Sequence, residues 1–92
     1  MHGEYKVPGG KLVVADLEVD NGGRLAQVRI SGDFFLEPPE ALDAINGGLA
    51  GLPARASETE LADAVRRALP AHAELFGFSP EAVAVVVRRA LG

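Results

Sequence analysis

The sequence predicts a two-layer α+β domain, with an antiparallel β-hairpin or three-stranded sheet packed on one face by about three helices. Segments 12–20 and 24–32 alternate apolar and polar residues, as half-buried strands do. Asn21-Gly22 between them is a strong hairpin signal. The later part of the chain has helical spacing of apolar residues behind serine and proline start signals. The 92 residues suffice for one domain, spanning 1–92.

The hairpin register is predicted from a two-residue loop at Asn21-Gly22. A type I′ turn needs positive φ at both central residues, so a β-branched residue at Gly22 is expected to be costly. This loop gives three apolar pairs: Leu17 with Ala26, Ala15 with Val28, and Val13 with Ile30. A third strand is expected from residues 5–7 or from residues 34–36.

Three helices are predicted beyond residue 36. The first follows Pro38 or Pro39 and is expected to be short or frayed after Asn46, because each residue of Gly47-Gly48 costs about 1 kcal/mol relative to alanine. The second begins at a capping box of Ser57 and Glu60 and runs to about Pro70. The third opens at Ser79-Pro80-Glu81, closes at Arg88-Arg89 and buries a stripe of Val83, Val86, Val87 and Ala90.

Composition narrows the possible functions. The net charge of −4 gives no general attraction for phosphate backbones, so no nucleic-acid partner is expected. The absence of cysteine excludes disulfides, a thiol nucleophile and iron–sulfur clusters. No apolar run approaches the ~20 residues of a membrane span, and we expect a soluble cytoplasmic protein with no membrane partner. His2 and His72 stand apart, so no metal site is predicted.

The stretch YKVPGGKLV holds the only two lysines, Lys6 and Lys11, on either side of Pro8-Gly9-Gly10. It fails the pattern of phosphate loops, since Tyr5 stands where the first glycine is required and Leu12 where Ser or Thr is required, and it precedes a strand instead of a helix. The residues alone favour a type II turn of Pro8 and Gly9 with both lysines solvated.

Two adjacent phenylalanines, Phe34 and Phe35, follow the second strand. Consecutive strand residues point to opposite faces, so one ring is predicted to face away from the helices and to be available to a partner or a covering loop. If Phe34 continues the buried set, Phe35 is the outward ring, and a bulge at Gly32 would reverse this assignment.

Three stretches stand out by their order and spacing: YKVPGGKLVVADLEVD, RISGDFFLEPPEALDAINGGLAGLP and ELFGFSPEAVA. Together they resemble the accessory, or C-terminal, domain of lipoate protein ligases, and the resemblance covers about residues 5–90. Its most specific pieces are PGGKL and GDFF. Ligases of this family join lipoate to AMP with ATP and then pass the lipoyl group to a lysine of an acceptor domain.

The resemblance implies an accessory subunit that is not catalytic alone and binds no cofactor by itself. ATP, Mg²⁺ and lipoate are expected at the site of a separate catalytic chain, and lipoyl-acceptor domains are indirect partners. The implied adenylation-assisting loop comprises Lys6, Gly9, Gly10 and Lys11, and the implied partner interface comprises Asp33, Phe34 and Phe35.

Met1 stands four residues before the motif, so we expect either a free-standing subunit or an excised C-terminal domain. The competing hypothesis is a small protein-binding or regulatory module with no part in ligation. In that case the exposed phenylalanine and the lysine loop form a protein interface only.

Overall fold

Five strands and three helices make up the structure given by a computed structural model of residues 1–92. The strands are β1 (His2–Lys6), β2 (Leu12–Val19), β3 (Leu25–Gly32), β4 (Phe35–Glu37) and β5 (Glu74–Phe76). The helices are α1 (Ala41–Leu49), α2 (Glu58–Ala68) and α3 (Pro80–Leu91). The α+β class predicted from the sequence is confirmed.

The main sheet has three antiparallel strands in the order β1-β2-β3. The third strand is therefore the N-terminal one of the two expected alternatives. It spans residues 2–6 instead of 5–7 and pairs Tyr5 with Val13. The other alternative, residues 34–36, overlaps β4, which pairs with β5 in a separate two-stranded ribbon that aligns Phe35 with Phe76. We did not predict β5, because three residues carry too little periodicity to indicate a strand.

The predicted hairpin register is wrong. Ala15 pairs with Ile30 instead of Val28, and Glu18 pairs with Ala26. The turn has three loop residues, since the amide of Asp20 donates to the Arg24 carbonyl at 2.9 Å. Gly23, with φ of 75°, supplies the left-handed residue of a type I turn followed by a bulge. The strain expected for a β-branched residue at position 22 is therefore expected at position 23 instead.

A β-bulge near the middle of the hairpin changes which side chains of β3 point towards the core. Between the pairs Asp16–Arg29 and Glu18–Ala26, two residues of β3 oppose Leu17 alone. One of them, Gln27, has φ of 50° and is the non-glycine residue in the left-handed region. The bulge returns β3 to the core face, so that Leu25 is buried while Ala26 is only half-buried.

The first helix departs from its prediction because it continues through both glycines to Leu49. A Cβ on Gly48 would lie 2.6 Å from the Cβ of Ala68, so glycine here allows α1 to approach α2 closely. Pro38 and Pro39 lie in the turn before Ala41. Tertiary packing thus overrides the low helix propensity that suggested an end at Asn46.

The other two helices begin where the sequence predicts. Ser57 accepts from the amide of Glu60, and the Glu60 carboxylate accepts from the amide of Ser57, which completes the capping box. Helix α2 ends at Ala68, two residues before the predicted end. Ser79 caps α3 by accepting from the amide of Ala82, and the predicted stripe on α3 is buried.

The core lies between the main sheet and the helices. Helix α3 packs on β1 and β2, α1 packs on β3, and α2 packs against both helices. No polar or charged side chain is buried. The largest fully buried side chains are Leu25, Ile30, Ile45, Leu49, Leu61, Val13, Val65, Val83, Val86 and Val87. No helix of this chain has both the length and the apolar character needed to cross a membrane.

Candidate functional site

The lysine stretch forms the turn that connects β1 to β2. The amide of Gly10 donates to the Val7 carbonyl at 2.8 Å, and Gly9 has φ of 71°. Pro8 and Gly9 therefore occupy the two central positions of a type II turn, as the sequence predicts.

The two lysines of this turn differ in their contacts. The Lys6 ammonium folds over the turn and donates to the Gly10 carbonyl at 2.6 Å. The exposed Lys11 side chain forms neither a hydrogen bond nor an ion pair within the chain. Of the two amines, that of Lys11 has no partner within the chain.

Gly77, which follows β5, fixes the backbone of the lysine turn. Its carbonyl accepts from the amide of Lys11 at 2.9 Å. With φ of 88°, Gly77 packs so closely on Lys11 that a Cβ there would lie 2.5 Å from the Lys11 Cγ. A Cβ on Gly10 would lie 2.7 Å from the same Gly77 carbonyl oxygen. The stem of Lys11 is therefore positioned by the protein while its charged end remains exposed.

The turn does not fit a phosphate cradle. A phosphate loop presents free backbone amides at the start of a helix, whereas this turn leads into strand β2. The amides of Gly10 and Lys11 both donate to carbonyls within the chain. No group of three or more histidine and carboxylate side chains has the arrangement of a metal site.

The structure assigns different positions to the two adjacent phenylalanines. The Phe34 ring stacks on Phe78 with a centroid separation of 3.9 Å and packs against the core. Phe35 is 72% exposed. The bulge that could have reversed this assignment lies at Gln27 instead of Gly32, so Phe35 is the outward ring.

Phe76 is a second exposed ring that sequence reasoning missed. It pairs directly with Phe35 across the ribbon and is 49% exposed. The exposed glutamates Glu37 and Glu74 also pair across the ribbon, while Leu36 and Leu75 between them pack against the core. The alternation in ELFGF puts Glu74 and Phe76 on one side, but three strand residues are too few for this pattern to have indicated a strand.

The lysine turn contacts the end of the ribbon at which β4 begins and β5 ends. The amide of Asp33 donates to the Leu12 carbonyl at 3.1 Å, and Lys11 is bonded to Gly77 next to Phe76. We call this region the loop–ribbon surface, defined by Lys11, Asp33, Phe35, Glu37, Glu74 and Phe76. Three of the seven candidate residues, Lys11, Asp33 and Phe35, thus belong to this region, whereas the Lys6 ammonium bonds within the turn and the Phe34 ring packs against the core.

The titratable groups with shifted pKa values lie elsewhere. His2 stands between two carboxylates, with Nε2 at 2.8 Å from Glu4 and Nδ1 at 2.6 Å from Asp16, and these hydrogen bonds raise its pKa. The amide of Ser57 at the capping box lowers the pKa of Glu60. His72 is exposed in the segment before β5.

Comparison with solved structures finds a similar chain from an archaeal lipoylation system. That system comprises a bi-partite lipoate protein ligase and its E2 lipoyl domain from Thermoplasma acidophilum. The likeness has a TM-score of 0.69 with 26% sequence identity, and it covers 96% of this chain and 98% of that chain. No family model matches the sequence, and no curated protein matches it. The chain is thus similar to a component of a lipoylation system.

Proposed function

We propose that the chain is the accessory subunit of a split lipoate protein ligase. It acts with a separate catalytic chain in ATP-dependent formation of lipoyl adenylate, before the lipoyl group passes to an acceptor lysine. ATP, Mg²⁺ and lipoate bind at the site of the catalytic chain, and the pair works as a heterodimer in the cytoplasm.

The observation that carries this proposal is the likeness over nearly the whole of both chains to a component of the Thermoplasma system. Such coverage supports a counterpart of the matched chain as a whole instead of a part of it. The positions of the motifs add support, because PGGKL, GDFF and ELFGF come from distant parts of the sequence and meet at the loop–ribbon surface.

A lipoyl acceptor is the second candidate, because the Thermoplasma system also contains an E2 lipoyl domain. An acceptor must present a lysine to the ligase, and Lys11 lies exposed in a turn. The accessory-subunit role is favoured because the motifs that resemble the accessory domain of lipoate protein ligases lie on both sides of Lys11 and account for nearly the whole chain.

The proposal is tested by reconstitution with the lipoate ligase catalytic chain encoded in the same genome. The catalytic chain is assayed for lipoyl-AMP formation alone and with this chain, and complex formation is followed by size-exclusion chromatography. We expect adenylate to form efficiently only in the mixture, while the mass of this chain stays unchanged. Lipoylation of Lys6 or Lys11 would instead identify an acceptor. Full adenylation without this chain, with no complex, would favour a regulatory module unconnected with ligation.

A further inference from the structure

The outer face of the β4–β5 ribbon has an unusual composition for a solvated surface. Its four side chains form two direct cross-strand pairs, Phe35 with Phe76 and Glu37 with Glu74, and all four are exposed. Adjacent aromatic rings and a pair of acids therefore share a face only three residues long on each strand.

The acidic pair works against the stability of the ribbon. Like charges directly opposite each other on neighbouring strands repel. Neither Glu37 nor Glu74 forms an ion pair with any cation of this chain. The fold therefore leaves two carboxylates together without a counter-charge, beside two rings that it does not bury.

We propose that this face docks the catalytic chain through a surface on that chain where an apolar pocket is bordered by arginine or lysine. This inference rests on the proposed function and adds the surface and the chemistry of its partner. The two rings enter the pocket as anchors, and the cations neutralise the paired carboxylates. Lys11, whose amide is bonded to the carbonyl of Gly77 next to Phe76, then lies at the edge of the docked surface.

Charge also argues against a second copy of this chain as the occupant. A symmetric dimer places the same patch of each copy against itself, so that Glu37 and Glu74 would meet the same acids. The net charge of −4 adds to that repulsion.

The test measures binding of the full chain to the catalytic chain by isothermal titration calorimetry at low and high salt, with thermal denaturation of every variant. Phe76→Ala should weaken binding about tenfold or more, as for a central aromatic anchor.

The double variant Glu37→Lys/Glu74→Lys keeps a like-charge pair but reverses its sign, so it should fold as the wild type does. Its binding to the catalytic chain should be about tenfold or more weaker, and the loss should be greatest at low salt. The matched control is Glu58→Lys, at an exposed position in the first turn of α2, which should leave the affinity unchanged within about twofold.

The variant Glu37→Gln/Glu74→Gln separates docking from a structural role. It removes the repulsion, so the melting temperature should rise while the affinity for the catalytic chain falls. Affinity and stability that move together would contradict the proposal. So would a concentration-dependent dimer of the isolated chain that Phe76→Ala abolishes, since the face would then belong to a second copy.

The two hypotheses fail in different ways. If the wild-type chain binds the catalytic chain and all three ribbon variants bind equally well, the docking surface is wrong and the accessory-subunit role stands. If the wild-type chain does not bind at all, both the role and the surface that depends on it are wrong.

Discussion

Lys6 and Lys11 carry the same side chain on either side of one turn, but the fold uses them differently. Lys6 holds the turn by donating to the Gly10 carbonyl, and Gly77 fixes the stem of Lys11 while its ammonium stays unpaired. The sequence indicated a shared loop for both amines. It could not distinguish them, because neither the bond of Lys6 to the Gly10 carbonyl nor the packing of Gly77, far along the chain, on Lys11 has a mark in the sequence.

Replacement of Lys11 with methionine should slow formation of lipoyl adenylate by the complex about 10- to 100-fold. A hydrogen bond from a charged donor contributes about 1.5 to 3 kcal/mol, which corresponds to that range of rates. The stem of methionine can still pack on Gly77, so the melting temperature of the chain should change little. The measurement is single-turnover adenylation with ATP and lipoate in the reconstituted complex.

Two controls define the role of Lys11. Lys6→Met removes the other amine of the turn and should affect stability more than adenylation, because that ammonium is bonded to Gly10. Supply of ready-made lipoyl-AMP should restore lipoyl transfer in the Lys11→Met complex. If adenylation by Lys11→Met matches the wild type while the complex still forms, the stretch is only a connecting turn.

His2 should give the protein a pH-dependent stability above neutral pH. Its folded pKa is raised above 6.5 by the hydrogen bonds to Glu4 and Asp16, so its contribution is fully present below pH 6.5 and is lost as the pH rises through the folded value. The difference in melting temperature between wild type and His2→Gln should therefore be largest below pH 6.5 and decrease as the pH rises above it. A difference that is constant or increases with pH would contradict this assignment. Because the group is exposed, the effect should be small and should decrease with added salt.

At the scale of elements, the sequence correctly predicted those features that depend on contacts between residues close together in the chain. The starts of α2 and α3 were correct because a capping serine and its partner amide lie within one helical turn. The hairpin register was wrong because DNGG permits two loop lengths, and the bulge at Gln27 lets the three-residue loop keep Leu25 on the core face. A bulge with a non-glycine residue at positive φ leaves no reliable mark in a single sequence.

Neighbouring glycines in α1 should respond in opposite ways to alanine. A Cβ on Gly47 meets nothing within 4 Å, so Gly47→Ala should stabilise the fold by about 0.5 to 1 kcal/mol through helix propensity. A Cβ on Gly48 would lie 2.6 Å from that of Ala68, and Gly48→Ala should destabilise the fold by about 1 to 3 kcal/mol through overpacking. Urea unfolding of the two variants measures both effects.

A second change tests whether the contact with Ala68 causes the loss. Adding Ala68→Gly to the Gly48→Ala variant should restore part of the lost stability, although Ala68→Gly alone destabilises the helix. Strictly additive effects of the two changes would show that the closeness of α1 and α2 is not the reason that glycine is needed at position 48.

At the scale of the whole molecule, the candidate site exists only in the folded chain. The lysine turn comes before β2, Asp33 and Phe35 lie just after β3, and Phe76 and Gly77 precede α3. Sequence reasoning found the first two groups separately. It could not bring them together or add Phe76, since the pairing of β4 with β5 spans more than one third of the chain between positions 35 and 76. Which of the two adjacent rings points outward likewise depended on a distant contact, since Phe34 lies between β3 and β4 and stacks on Phe78.

The isolated chain should neither bind ATP appreciably nor form lipoyl-AMP. Within the lysine turn the amides of Gly10 and Lys11 are already bonded to carbonyls of the chain, so a triphosphate would meet one ammonium group and no backbone cradle. Such a single exposed charge is strongly screened by salt and gives little affinity. Isothermal titration of ATP into the purified chain should give no measurable binding in the micromolar range, whereas the same titration into the complex with the catalytic chain should. Micromolar affinity of the chain alone would contradict the accessory-subunit role and indicate an independent nucleotide site, and Lys11→Met would then show whether this turn forms it.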